Sequence, residues 1–401
     1  MNINNIKRNS VFGAFALASA LFLAACTGGN DGGAAPAPAP ADTSPATTNE
    51  APAQPTEEIN PATLGIILPS TDLPRWLQDE ERFRTALAAA GVDNPTILFS
   101  EDSPSTERSH VDTLITLGKD VIIITPVDGA AAAAAANAAR DAGITVIAYD
   151  RLILDTDAVS YYITFDSFAV GYAQGRFLVD RATGTGNPLY LYAGHAADNN
   201  AFMFFEGAWS ALQPAIADGT FTIYNSSQAV ALQDTLELTR DQKADIIGQV
   251  TTEWSNSVAR NLAENHLTAI GSEGKGEVFV LAPNDGTALA ISDAFNQDPE
   301  VTHLWITGQD AEVSSVQGII DDRQSMTVFK DVRILVDDAI AVALDVLAGR
   351  TPATTGYFDN GVIMVPSKLT EVMVVDRYNL VEALIDSGFI SADQLDLSNL
   401  N

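Results

Sequence analysis

Short, almost wholly apolar runs alternate along the chain with longer segments in which apolar residues recur every three or four positions. The runs at 64–68, 121–124 and 144–149 contain few polar residues, which is typical of strands buried on both faces of a parallel sheet. Segment 105–117 repeats its apolar residues at helical spacing, and segment 130–140 is mainly alanine, the strongest helix former. The pattern therefore predicts alternating strands and helices.

The alternation continues to near the C-terminus and predicts an α/β fold with two units, each built on a parallel sheet. No short repeat suggests a solenoid. Further predicted strands lie at about 97–99, 161–165, 189–193, 221–224, 278–282, 304–307 and 327–329. Further predicted helices lie at about 75–90, 168–181, 201–212, 241–265, 288–295, 313–320 and 333–348.

The N-terminal segment has the form of a secretory signal. Lys7 and Arg8 precede an apolar run at 11–23, and small residues lead from it to Cys26. The run is shorter than the roughly 20 residues that span a bilayer core as a helix. Leu-Ala-Ala-Cys is the kind of sequence at which bacterial lipoproteins are lipidated, so residues 1–26 are predicted to be a lipoprotein signal peptide with Cys26 as the lipidated residue. A plain signal peptide is the alternative.

Residues 27–61 contain no aromatic residue, no Lys and no Arg, and are rich in Ala, Pro, Gly and Thr. Such a segment buries too little apolar surface to offset the entropy of ordering it. We therefore expect a disordered tether and a folded part that begins near residue 62, long enough for two domains.

The charge balance excludes several classes of protein. With 21 Lys and Arg against 52 Asp and Glu, the net charge is −31, which argues against a nucleic-acid partner and against docking on an anionic bilayer through a basic patch. A single cysteine excludes a disulfide framework and a cysteine-based zinc site. His110, His195, His266 and His303 lack metal-ligand spacing, so neither a metal nor a cofactor is expected.

Polar side chains follow many of the predicted strands, at the edge where ligands bind to open α/β sheets. Asp and Asn at such positions also cap the following helix, and this structural role stays open for Asp128 and Asp166. Arg151 and Lys330 cannot accept a hydrogen bond from a helix N-terminus, so a binding role is favoured for both. The residues at strand ends are Asp128, Asp150, Arg151, Asp166, Asn284, Asp285, Asp310 and Lys330.

This set of groups suits the hydroxyls of a neutral sugar or polyol better than an anion. Carboxylates accept hydrogen bonds, amides both donate and accept, and Arg and Lys only donate, whereas an anionic ligand would need more cations and fewer acids. A sugar also needs aromatic walls for its apolar faces. The candidates are Trp76, Phe204 or Phe205, and Trp209, of which the last three could equally be core residues.

Other chemistries find little support in the sequence. It has no Gly-x-Ser-x-Gly nucleophile elbow. The glycine-rich segment 271–276 lacks the Ser or Thr that follows Gly-Lys in a phosphate loop, and it precedes a strand, which favours a simple turn. A pair of acids for glycoside hydrolysis stays open, although acids at many strand ends favour hydroxyl binding.

Several motifs, in order along the chain, carry a resemblance to a known family. They are Pro74-Arg75-Trp76, Ala148-Tyr149-Asp150-Arg151-Leu152-Ile153, Tyr161-Tyr162-Ile163-Thr164-Phe165-Asp166, Asp198-Asn199-Asn200-Ala201, Gly308-Gln309-Asp310-Ala311-Glu312 and Val328-Phe329-Lys330-Asp331. Together they resemble bacterial sugar-binding proteins of the xylose and multiple-monosaccharide type, from about residue 64 to the C-terminus.

The resemblance implies the type I periplasmic binding protein fold, with two Rossmann-like lobes joined by a three-strand hinge and closing on a monosaccharide. It implies an N-terminal lobe at 62–165 plus about 330–365, a C-terminal lobe at 166–329 plus about 366–401, and hinge crossings near 165–166, 329–330 and Pro366.

The resemblance also implies the residues that contact the sugar. Two departures from the family are visible: His195-Ala196-Ala197 replaces the usual Gly-Ser-Pro, and no Trp lies at 226–234, where xylose binders offer a second wall. Xylose, glucose, galactose and arabinose therefore all stay open. The implied polar contacts are Arg75, Asp128, Asp150, Arg151, Asp198, Asn200, Asn284, Asp310 and Lys330, with Trp76 as an aromatic wall.

The expected function is that of an extracytoplasmic, lipid-anchored, monomeric receptor without enzymatic activity, which delivers a monosaccharide to an ABC permease in the membrane. A sensor that presents sugar to a chemoreceptor or a sensor kinase would use the same site. A glycoside hydrolase is the enzyme alternative. A sugar-responsive repressor shares the fold, but the predicted signal peptide and the missing DNA-binding helices argue against it.

Overall fold

The computed structural model describes residues 59–400. The predicted signal peptide, the predicted lipidation site Cys26 and the predicted tether up to residue 58 lie outside the described residues. The described part begins with a short 3₁₀ helix, Pro61–Thr63, that leads directly into the first strand. Within residues 59–400, no helix is long and apolar enough to cross a bilayer.

The described strands form three sheets, of seven, four and two strands. They are β1 (Leu64–Leu68), β2 (Thr96–Phe99), β3 (Val121–Ile124), β4 (Thr145–Tyr149), β5 (Val159–Phe165), β6 (Asn187–Leu191), β7 (Phe221–Ile223), β8 (Gly276–Leu281), β9 (Val301–Ile306), β10 (Thr327–Lys330), β11 (Gly356–Asp359), β12 (Met364–Thr370) and β13 (Val372–Val375).

Helices follow most strands, as the alternating pattern predicts. They are α1 (Pro74–Ala89), α2 (Pro104–Thr116), α3 (Ala133–Asp141), α4 (Ser167–Val179), α5 (Asn199–Ala217), α6 (Ser227–Ala231), α7 (Arg240–Val250), α8 (Asn256–Ala269), α9 (Asp285–Gln297), α10 (Val313–Ile320) and α11 (Val332–Leu347). A π-helical segment, Val381–Asp386, and short 3₁₀ turns complete the C-terminal part.

The seven-stranded sheet has the order β11-β12-β5-β4-β3-β1-β2, and only β11 pairs antiparallel. Neighbouring residues of one strand alternate between two cores: Ile66 packs under α1 and α11, whereas Ile67 packs under α2 and α3. Both are fully buried. The apolar runs are therefore strands covered on both faces, as predicted.

The four-stranded sheet has the order β7-β6-β8-β9, and all of its pairings are parallel. Leu191 faces a core shared with α4 and α5, while Tyr190 faces the core under α8 and α9. Strands β10 and β13 pair antiparallel with each other as a separate ladder.

The chain leaves the seven-stranded sheet for the four-stranded sheet after β5, returns to the seven-stranded sheet after β10, and leaves it again after β12 for β13, the partner of β10. These are three crossings between the seven-stranded sheet and the rest of the described chain, the number that the family resemblance implies. The division into two lobes stays a prediction. Strand β12 pairs with β5 as far as Thr370 opposite Phe165, so residues 366–370 belong to the first sheet. This pairing would shift the third crossing from Pro366 to the Thr370–Val372 step.

The prediction of one continuous helix at 241–265 is wrong. The structure has two helices there, α7 and α8, separated by residues 251–255. Glu253 and Trp254 adopt φ values of +54° and +57°, a conformation that bulky residues rarely take. The Thr252 amide donates to the Ala193 carbonyl at 2.8 Å, and Ser255 caps α8. Strands β11 to β13 and helix α6 were not predicted either.

Candidate functional site

The implied sugar contacts meet where the strands of both large sheets end. Nine of the ten line one small cavity of about 30 Å³, called here the central cavity; that volume corresponds to about one or two waters. Asp128 does not line it. The remaining lining residues are Leu73, Phe204, Trp254, Gln309 and Glu312.

Arg75 is the hub of the central cavity. It is the second residue of α1, directly after Pro74, and the whole residue is only 4% exposed. Its Nη2 lies 3.0 Å from Asp79 one helical turn on and 3.1 Å from Asp150 after β4. Its Nη1 lies 3.9 Å from Asp310 after β9. Arg75 therefore joins the ends of the two sheets.

A second cation, Lys330 at the end of β10, lies 2.8 Å from the same Asp310. Asp310 has φ +100° and is not a helix cap. The loop that carries Asp310 is held in place by Asp285. The Asp285 side chain accepts hydrogen bonds from the Glu312 amide at 3.0 Å and from the Thr327 hydroxyl at 3.0 Å. Gln324 donates to the other carboxylate oxygen of Asp285 at 2.7 Å. One buried carboxylate thus positions three segments of the site.

The third cation is Arg151, whose Nε lies 3.0 Å from Asp198. Asp198 also caps α5 by accepting from the Asn200 amide at 2.9 Å, so the capping role and the site placement are compatible in one residue. The Asn200 side chain donates to the Asp150 carbonyl at 2.9 Å. Asn284 likewise caps α9 through Thr287 while lining the cavity.

These contacts set the charge states of the buried acids. Burial would raise the pKa of Asp150, but neighbouring cations, above all Arg75, outweigh it and hold that pKa below its ordinary value. Burial raises the pKa of Asp198 against the opposing effect of Arg151. Burial, with a smaller effect of a neighbouring acid, raises the pKa of Glu312 to about 7. Asp150 is therefore an ionised acceptor at neutral pH.

Aromatic rings border the central cavity on more than one side. Trp76 packs against two guanidinium groups, with its ring centre 5.1 Å from Arg75 and 5.2 Å from Arg151. Trp254 meets Phe204 edge-on at 6.3 Å, and both rings line the cavity. Trp254 could not be recognised from the sequence, because the helix break that carries it contains neither Gly nor Pro.

The other candidate walls lie in the core. Phe205 and Trp209 stack on each other at 6.0 Å within the core between α5 and the four-stranded sheet. The Trp209 indole donates to the Thr235 carbonyl at 2.9 Å. Neither ring lines the central cavity.

Asp128 lies at a second, larger cavity of about 590 Å³, called here the outer cavity. One of its carboxylate oxygens accepts from the amides of Ala130 and Ala131, both at 2.9 Å. These bonds hold the turn that precedes α3, whose own N-cap is Ala132, so Asp128 is not a helix cap. The structure places it outside the group formed by the other nine residues. Among residues 59–400, no group of three or more His, Cys, Asp or Glu side chains is arranged to hold a metal ion.

The arrangement offers donors and acceptors without a large excess of either charge. Each of the three cations that line the central cavity lies against a carboxylate. Such a site can exchange its internal ion pairs for hydroxyl groups, each of which donates to a carboxylate and accepts from a cation. The three pairs are Arg75 with Asp150, Arg151 with Asp198, and Lys330 with Asp310.

Comparison with known proteins identifies the family. A family model described as a periplasmic binding protein domain matches residues 64–351. The chain is 33% identical over 344 residues to the multiple sugar-binding periplasmic receptor ChvE of Rhizobium radiobacter, covering 83% of this chain and 92% of that receptor. It is 29% identical over 332 residues to the D-xylose-binding periplasmic protein of Escherichia coli (strain K12), with 83% and 92% covered.

Solved structures agree with these relatives. A carbohydrate transporter solute binding protein from Chloroflexus aurantiacus, in complex with D-glucose, is 60% identical, with a TM-score of 0.82 over 83% of this chain and 98% of that chain. An ABC transporter solute binding protein from Clostridium phytofermentans with bound β-D-glucose is 30% identical, with a TM-score of 0.73 over 83% and 99%. The chain therefore belongs to the periplasmic binding protein family.

Proposed function

We propose that this protein is an extracytoplasmic receptor that binds a monosaccharide in the central cavity and delivers it, unchanged, to an ABC permease. The observation that carries the proposal is the set of three buried cations, each against a buried carboxylate, at the facing ends of the two sheets. A sugar ring entering between them finds both hydrogen-bond donors and acceptors. Trp76 and the Trp254–Phe204 pair provide apolar walls.

D-Glucose is the first candidate ligand. A relative with 60% identity was solved with D-glucose, and a second with 30% identity was solved with β-D-glucose. The central cavity must widen to admit a hexose, since it has space for about one or two waters. We propose that it widens as the two sheets move apart about the connections after β5, β10 and β12.

The test is calorimetric titration of the protein with D-glucose, D-xylose, D-galactose and L-arabinose. We expect saturable binding of at least one sugar, with D-glucose the tightest. myo-Inositol, a neutral polyol without a ring oxygen, serves as the control for recognition of a pyranose. Absence of binding for the whole panel would show that the proposal is wrong.

The proposed location is the outer face of the cell membrane, held by lipid on Cys26, with the protein a monomer. Cys26 lies outside the described residues, and the proposal rests on the sequence around it. Cys26→Ser should leave sugar affinity unchanged and release the protein into the soluble fraction. Retention of Cys26→Ser in the membrane fraction after salt washing would contradict lipid anchoring.

A further inference from the structure

The outer cavity is much larger than the central cavity and adjoins it. Its volume of about 590 Å³ falls within the range of about 300–1,000 Å³ typical of small-molecule sites. The two cavities share four lining residues, so they are adjacent and these side chains form the wall between them. The shared residues are Leu73, Arg151, Asp198 and Trp254.

The outer cavity is not simply a gap between separated sheets. The Gly129 amide, after β3, donates to the Ala197 carbonyl, after β6, at 3.2 Å. Arg151 contacts Asp198 at 3.0 Å across the same boundary. The ends of the two sheets are therefore in direct contact beside the outer cavity. The cavity is present even though these ends touch.

The chemistry of the outer cavity matches that of a neutral polyhydroxyl compound. Arg151 is the only Lys or Arg among the described residues that line it, and it is already paired with Asp198. His195 accepts from the Ala197 amide through Nδ1 at 2.9 Å, so its Nε2 carries the proton that is donated to Glu253 at 2.7 Å. The lining lacks the free cations that an anion needs. Hydroxyl, amide and carboxylate groups come from Asp72, Asp102, Asp128, Ser255, Asn256 and Ser257.

Trp254 stands between the two cavities and is held there at a cost in backbone strain. Its φ of +57°, next to Glu253 at +54°, is unfavourable for a bulky side chain. The ring packs directly against Gly194, because a Cβ added to that residue would lie only 2.0 Å from a ring atom. Its Nε1 is shielded from solvent and has no hydrogen-bond partner among the described residues. Backbone strain of this kind clusters at ligand-binding sites, and a buried donor without a protein partner calls for an explanation. Both features favour a ligand contact at this ring.

We propose that the outer cavity is a second saccharide subsite, so that the receptor binds glycosides or disaccharides with one ring in the central cavity and the other ring, or the aglycone, in the outer cavity. Trp254 then contacts both units. This inference rests on the proposed sugar-binding function and extends its ligand class from a monosaccharide to a substituted one.

The experiment is calorimetric titration with D-glucose, methyl α- and β-D-glucopyranoside, maltose and cellobiose. At least one glycoside or disaccharide should bind within tenfold of D-glucose or more tightly, because its substituent has a cavity to enter. Binding of D-glucose with rejection of every glycoside would overturn the inference and leave the proposed function standing. Failure of D-glucose and of all glycosides would instead overturn the proposed function.

A matched pair of variants tests the place of the second unit. Ser257 is the second residue of α8, and its hydroxyl contacts that of the cap residue Ser255 at 3.0 Å. Ser105 holds the same position in α2, with the same contact to its cap Ser103, but does not line the outer cavity.

Ser257→Trp fills the outer cavity and should lower the affinity for the bound disaccharide at least tenfold, with D-glucose affinity within twofold of the parent. Ser105→Trp should change neither affinity. An equal loss of glucose and disaccharide affinity in Ser257→Trp would mean that the outer cavity is only the entrance, and would overturn the inference. Retention of disaccharide affinity in that variant would overturn it as well.

Discussion

Asp150→Asn is the sharpest test of the central cavity, because it removes the charge of one buried acceptor and keeps the size and shape of its side chain. Asp150 has φ +60°, a conformation that Asn also tolerates. No helix begins between it and β5, so it caps nothing. Its two carboxylate oxygens lie 3.1 Å from Arg75 and 3.3 Å from the Asn200 amide group. The backbone should therefore be retained.

The expected loss of affinity follows from the charge of the acceptor. The pKa of Asp150 lies below its ordinary value, so the parent presents a carboxylate at neutral pH. Hydrogen bonds to a charged group contribute about 1.5–3 kcal/mol, which at 1.4 kcal/mol per tenfold corresponds to a loss of about 10- to 150-fold in sugar affinity. Calorimetry with D-glucose measures this directly, and circular dichroism checks the fold.

Asp155→Asn is the matched control. Asp155 has nearly the same backbone conformation, φ +56°, but is exposed and does not line the central cavity. It should bind D-glucose as the parent does. If Asp150→Asn also binds D-glucose within twofold of the parent while remaining folded, the carboxylate does not accept from the sugar and the assignment of this contact is wrong.

Two further predictions concern stability. Burial raises the pKa of Glu107 to about 7, so its stabilising, uncharged form is fully present below about pH 4.5 and is lost as the pH rises through about 7. Urea denaturation should therefore show Glu107→Gln to be more stable than the parent at pH 8, by up to about 3 kcal/mol, and of similar stability at pH 5. A difference in unfolding free energy of equal size at both pH values, or the same difference in the exposed control Glu81→Gln, would contradict this. Gly171→Ala should destabilise the protein by about 1–3 kcal/mol or more, because its Cβ would lie 1.8 Å from the Phe204 carbonyl oxygen. Gly248→Ala should be neutral or stabilising by up to about 1 kcal/mol, because among the described residues only its chain neighbours and the backbone of its own helix lie within 4 Å of the added Cβ. Equal effects in the two variants would refute the packing argument.

Much of the fold could be predicted because each core strand is a short, almost wholly apolar run. Both faces of such a strand pack into a hydrophobic core, so nearly all of its positions are apolar. The run at 121–124 is an observed strand with the predicted bounds. The strands near the C-terminus were missed for a physical reason: β12 contains Pro366, and β13 carries exposed apolar residues such as Met373. Neither has the pattern of a buried strand, and their pairing depends on β5 and β10 far away in sequence.

The site residues that lie at strand ends or within the family motifs could be predicted from the sequence. Nine implied contacts lie together because the carboxyl ends of parallel strands share one edge. Which acid pairs with which cation was not predictable, since Arg75 and Asp310 are distant in sequence. Trp254 could not be found either, because its position depends on a break between α7 and α8 at residues that rarely adopt positive φ.

The carboxylate of Asp285 limits how the sugar preference of this receptor could be changed by engineering. It is fully buried and ties together the loops that carry Asp310 and Glu312 and the start of β10. A Cβ on Gly308 would come within 2.2 Å of it. Libraries that randomise whole loops would lose this tie and yield mostly misfolded sites. Varying only the tips, with Gly308, Asp285 and Gln324 kept, leaves the scaffold intact while the ligand-facing chemistry changes.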